Sequence, residues 1–152
     1  MKRHVVQYLP RHFFDIPAVW HAFLLGMVYL LLLLTQLFTF EDFPAVIATW
    51  GLRGGLLTAG FLAGIIPLLE AASLPFLISM NVSENILRVS KYAAVAVGVV
   101  WSLIALWLVF SMSIAESGLF GATISLPAGV WMLVYGVLLL NGSLIVVTEK
   151  RS

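Results

Sequence analysis

Long hydrophobic runs alternate along this chain with short breaks marked by charge, proline or glycine. From Ala18 to Phe40 the sequence AVWHAFLLGMVYLLLLLTQLFTF is almost continuously apolar. About 20 such residues, at ~1.5 Å each, cross a ~30 Å hydrocarbon core, so residues 18–40 predict a first spanning helix. Runs over residues 55–80, 92–114 and 122–147 predict three more. Trp20 at the start of the first run, with Phe38 and Phe40 at its end, matches the aromatic belts of membrane interfaces.

The breaks carry their own signals. Glu41 to Arg53, EDFPAVIATWGLR, is too short and too punctuated to span. Pro44 suits a first helical turn, and Phe43, Val46, Ile47 and Trp50 recur at helical spacing, so a short amphipathic surface helix is expected there. Residues 81–91, NVSENILRVSK, form a polar connection with Ser83 as N-cap. Gly118 and Gly121 mark a turn, and the fourth run is interrupted by Pro127 and by Asn141, Gly142 and Ser143. Pro67 and Pro75 each remove a backbone donor from the second span, and Gly60 and Gly64 form a GxxxG pair expected to serve packing. The expected fold is all-α: an integral membrane four-helix bundle, a single transmembrane domain over residues 1–152, with a short amphipathic surface helix between the first and second spans.

Composition supports this. Of 152 residues, 62% are hydrophobic and 10% charged, against roughly 45–50% and about 25% in soluble domains. The net charge of +1 is spread over scattered residues, which excludes a nucleic-acid partner, since phosphate binding needs clustered Lys and Arg. The absence of cysteine removes disulfide exchange, iron-sulfur ligation and thiolate catalysis. Residues 1–16, with Lys2, Arg3, His4, Arg11 and His12 among aromatics, suit the headgroup layer. They are too long and aromatic for a signal-peptide n-region, so the first span is expected to be a retained anchor. Four spans place Lys2, Arg3, Arg11, Arg88, Lys91, Lys150 and Arg151 on one side and Arg53 alone on the other. By the positive-inside rule both termini are expected in the cytoplasm.

One residue resists a purely structural account. Glu70 sits well inside the second run, where an ionisable group costs on the order of 3 kcal/mol and usually faces a bundle interior, a partner or water. Counting from the helix ends puts Glu70 about 21 Å below the outer boundary, Asn141 about 24 Å below it, and His21 about 5 Å above the inner one. Together with Ser73, one turn after Glu70, these residues form a candidate intramembrane polar cluster near the cytoplasmic side. Its functional reading is a proton-responsive or ligand-binding site; the plainer one is a hydrogen-bonded strut. A second candidate is the outer face, where Glu41 and Asp42 precede the amphipathic segment and Arg53 ends it, with pairing of Arg53 to Glu41, Asp42 or Glu116 expected. Thr35, Gln36 and Thr39 make an uncharged patch near the outer end of the first span, expected to pack on a neighbour. No HExxH spacing, phosphate-binding glycine loop or nucleophile elbow occurs, and no metal site or catalytic residue is predicted.

The order of elements, with FPAVIATWGL ahead of a second span that holds PLLEAASLPFL, resembles the DoxX-like and MauE-like four-helix membrane proteins. The resemblance covers most of the chain and implies a small, multi-pass protein of the bacterial inner membrane, acting beside redox, maturation or quinone-linked partners. Glu70 is the residue that carries over. The chain departs from the pattern in having no cysteine, and Gln36 and Glu41 where a basic residue would close the first helix. The expected role is an accessory or scaffold component of a membrane complex, not an enzyme, in contact with the lipid bilayer and with other subunits or a second copy of itself. The alternative is a proton- or quinone-linked redox or transport component. A quinone belongs to that alternative, and no other cofactor is expected.

Overall fold

The computed structural model describes residues 17–111 and 115–149. They form five helices: α1 (Pro17–Phe38), α2 (Phe43–Ala48), α3 (Gly55–Leu77), α4 (Glu84–Phe110) and α5 (Val130–Glu149). Four of them, all but α2, are long and apolar enough to cross a membrane, the make-up of a multi-pass membrane protein. Among the described residues there is no strand, only one isolated bridge between Glu116 and Pro127. The basic N-terminal stretch and the Lys150 and Arg151 tail lie outside the described residues, as do residues 112–114.

The four long helices form a ring in which α3 packs on α1 and α4, and α5 packs on α4 and more lightly on α1. The α4–α5 seam is the tightest. A Cβ on Gly98 would come within 2.7 Å of the Leu140 backbone, and one on Gly136 within 2.9 Å of the Ser102 backbone. Each helix thus offers a glycine to the other's main chain, the close approach that small residues permit where lipid gives no hydrophobic drive to association. Gly60 and Gly64 play no such part: both face outward with nothing within 4 Å of an added Cβ. The GxxxG spacing therefore contributes nothing to packing inside this bundle.

Helix α2 forms as Pro44 and its apolar spacing predict, but its face is already taken. Phe43, Val46, Ile47 and the following Trp50 are all buried in the protein core. The helix packs on α3 and caps one end of the bundle.

Several boundaries differ from the hydropathy reading. Helix α3 ends at Leu77, three residues early, in a Schellman motif: Met80 N–H bonds Pro75 O, Ser79 N–H bonds Phe76 O, and Ser79 takes φ +56°. Helix α4 starts at Glu84, eight residues before the apolar run, because Ser83 holds the extended N-cap backbone and Glu84 favours the first turn. Hydropathy sees only the apolar part of such a helix. Residues 122–129 are not the start of the fourth span. They belong to a non-helical segment, 115–129, in which Ser117 N–H bonds Leu126 O and Ala128 N–H bonds Ala115 O. Helix α5 begins only at Val130 and runs unbroken through Asn141, Gly142 and Ser143.

A side chain of α4 bonds the α3 main chain on either side of Pro75. The Ser90 hydroxyl of α4 accepts from Phe76 N–H at 2.8 Å and donates to Ser73 O at 2.9 Å. A hydroxyl from a neighbouring helix thus serves main-chain groups beside a ring that lacks its own N–H.

Candidate functional site

Glu70 projects from α3 into the interior and is completely buried. Its Oε1 accepts two hydrogen bonds, one from Trp101 Nε1 on α4 at 3.0 Å and one from Gln36 Nε2 on α1 at 3.3 Å. Gln36, also fully buried, donates from the same nitrogen to Leu119 O at 3.1 Å. The acid is therefore gripped by two other helices and tied, through Gln36, to the non-helical segment.

That segment is unusual for its burial. Ala115, Ser117, Gly118, Leu119 and Gly121 are buried although none is helical. Buried irregular backbone is tolerated only where its polar groups find partners. Here the last turn of α1 and the following Thr39 supply partners. Thr39 Oγ1 accepts from Ala122 N–H at 2.9 Å, Thr35 O accepts from Thr123 Oγ1 at 3.1 Å, and Gln36 holds Leu119 O. On the other flank Trp50 Nε1 donates to Glu116 O at 2.8 Å, and Trp107 Nε1 donates to Trp50 O at 2.9 Å. Two glycines allow the fit. Gly118 has φ +64° under the Trp50 ring, and Gly121 has φ +60° with its α-carbon against the Gln36 backbone.

The residues singled out from depth counting do not converge. Ser73 is buried one turn from Glu70, but its hydroxyl donates to the Glu70 main-chain carbonyl at 2.6 Å, not to the carboxylate. Asn141 is exposed and its amide donates back to Val137 O of its own helix. His21 is exposed too, with Nδ1 3.1 Å from Glu149 Oε2, so it joins the first and last helices at the bundle surface. Equal depth does not place two side chains on facing sides of their helices. The count for Asn141 also began five residues too early, since α5 starts at Val130 rather than near Ser125.

At the α2 end, Glu41, Asp42 and Arg53 are all exposed. Among the described residues no ion pair joins Arg53 to Glu41, Asp42 or Glu116; the Glu116 carboxylate instead accepts from Ser125 Oγ at 2.7 Å. The expected outer-face constellation is thus three solvated charges. Among the described residues no three His, Asp or Glu side chains gather in a way that would hold a metal ion.

Sequence reasoning set Gln36 in a patch packed on a neighbour without linking it to Glu70, and passed over Trp101, visible as a tryptophan at mid-span, away from the interfaces where that residue is enriched. A second interior knot had less signal: Tyr29 OH on α1 donates to Ala94 O on α4 at 3.0 Å and pairs with Ser143 Oγ on α5 at 2.8 Å. No protein-family model matches the chain, and neither a characterised protein nor a solved structure matches it.

Proposed function

We propose that this protein is a small DoxX-like component of the bacterial inner membrane that serves as an accessory, non-enzymatic subunit of a membrane complex, with Glu70 organising its interior. The observation that carries this reading is a single fully buried carboxylate gripped by Trp101 and Gln36 from two other helices. An acid at that depth is costly to keep and normally marks a functional position. The order of a first span, a short capping helix and a glutamate-bearing second span accords with the same family. The α2 end faces outward and both termini lie in the cytoplasm, because Arg88 and Lys91 sit at the opposite end, beside the membrane entry of α4.

Affinity purification from native membranes in mild detergent tests the role. Glu70→Gln is expected to keep its co-purifying partners, since an amide still accepts from Trp101, whereas Glu70→Leu is expected to lose them. Unchanged partners in Glu70→Leu would remove the proposed link between this side chain and assembly. Reporter fusions at the two ends test the orientation.

A second reading, a proton- or quinone-linked redox or transport component acting as an oligomer or with a partner, rests on one specific observation: Glu70 Oε2 and Gln36 Oε1 are buried without hydrogen-bond partners. A strut has no need of unpaired atoms. On this reading Glu70→Gln keeps assembly but loses the activity of the complex.

A further inference from the structure

Three buried side-chain oxygens have no hydrogen-bond partner among the described residues: Glu70 Oε2, Gln36 Oε1 and Ser117 Oγ. The first two belong to side chains already joined through Gln36 Nε2 and Glu70 Oε1, at 3.3 Å. Ser117 lies two residues before Leu119, whose carbonyl Gln36 also holds. A carboxylate oxygen and an amide oxygen are both acceptors, so neither can satisfy the other. What is missing is a donor or a cation.

No side chain among the described residues supplies it. Arg53 and Arg88 are exposed, His21 lies against Glu149, and Lys91 stands ten residues, about 15 Å along α4, from Trp101. Helix α2 has no ionisable side chain within FPAVIA. The titratable groups within electrostatic reach of Glu70 are Tyr29 on α1 and Tyr135 on α5. The Tyr29 hydroxyl is engaged with Ala94 O and Ser143. An isolated negative charge in a dry bundle is strongly disfavoured, and the group takes up a counter-charge instead.

We propose that Glu70 Oε2 and Gln36 Oε1, roofed by the segment that carries Ser117, bind one compensating positive charge, either a proton or a sodium-sized cation. In the proton case a single hydrogen on Oε2, shared with Gln36 Oε1, satisfies both atoms and completes a two-point acid–amide pair with the existing Gln36 N–H bond. In the cation case both oxygens become ligands. The site rests on the reading of Glu70 as an interior functional position, and it names what that position holds.

The test uses the full chain alone in lipid nanodiscs, so failure to find partners, which would sink the accessory-subunit reading, leaves it untouched. Infrared spectra at neutral pH report whether the buried carboxyl is ionised. Unfolding in sodium chloride against choline chloride at equal ionic strength reports cation binding. An un-ionised carboxyl band that shifts slowly in D2O and vanishes in Glu70→Gln assigns the proton. If that variant does not fold, a shift of the same band in Gln36→Leu makes the assignment. Absence of any un-ionised carboxyl band, with an unfolding constant that falls about tenfold for each tenfold rise in sodium above its dissociation constant and ignores choline, assigns the cation. Absence of an un-ionised band together with no response to sodium overturns the proposal, as does an un-ionised band indifferent to both substitutions.

Discussion

Trp101 on α4 donates its indole N–H to Glu70 on α3 across 3.0 Å, with both side chains shut away from the surface. Trp101→Phe keeps most of the ring volume and removes the donor. Interhelical bonds in membranes average about 0.6 kcal/mol, while losing a buried partner of a polar group costs about 1–3 kcal/mol. We expect a loss of about 1–2 kcal/mol for Trp101→Phe and a larger one for Glu70→Leu, which strands donors on both Trp101 and Gln36. Detergent-titrated unfolding followed by circular dichroism measures the two in one series. Equal stability of Glu70→Leu and wild type would count against the carboxylate as an anchor.

The buried segment offers a second test. Gly121 combines φ +60° with contact against the Gln36 and Thr35 backbone, so Gly121→Val meets both a conformational penalty of about 1–2 kcal/mol and a steric clash. The segment is expected to lift from α1. Because the chain has no cysteine, Ser117→Cys creates a single reporter thiol. It is expected to resist a membrane-impermeant maleimide on its own and to react once Gly121→Val is added. Equal labelling in both backgrounds would mean that the segment does not depend on this contact.

The two kinds of glycine pair predict opposite outcomes. Gly136→Leu drives a side chain into the Ser102 backbone and should cost at least the ~1–3 kcal/mol typical of overpacking. Gly64→Leu points into open space and should leave monomer stability within about 0.5 kcal/mol of wild type. Comparing the unfolding of the two variants checks the assignment of the α4–α5 seam.

Tyr29→Phe removes one hydroxyl that ties α1 to both α4 and α5. The expected loss is about 0.6–1.7 kcal/mol, between the average and the maximum for interhelical hydrogen bonds in membranes. Ser143→Ala should weaken the bundle less, since the Tyr29 hydroxyl keeps its bond to Ala94 O. Thermal unfolding of the two single variants and the double variant separates the shared bond from the rest.

The four spans were legible because a run of apolar residues of fixed length is a strong signal, and α1 and α3 fall within a few residues of their expected bounds. Glu70 was legible for the same reason, as the exception in such a run. The turn at Gly118 and Gly121 was legible too, but the non-helical course of residues 122–129 was not, since ATISLPAG is apolar enough to extend a span by composition alone. What opposes the helix there is local: positive φ at Gly118 and Gly121 and the partners offered by Thr35, Gln36 and Thr39. The identity of Glu70's partners was hidden by geometry. Counting set Glu70 near the inner side and Gln36 near the outer end, yet the two are hydrogen-bonded at 3.3 Å, and the direction a side chain faces depends on packing, which sent Asn141 outward and Gln36 inward.

Gln36 reaches forward 83 positions to hold Leu119, and this has a bearing on how the protein is made. Translation delivers α1, α3 and α4 to the bilayer before the stretch that roofs the acid has left the ribosome. For that interval the newborn chain holds an acid whose final enclosure does not yet exist, so its neighbours are water, the insertion machinery or lipid. Enclosure thus becomes a late event in biogenesis, and chains stalled before residue 115 would carry three spans and an unfinished chamber.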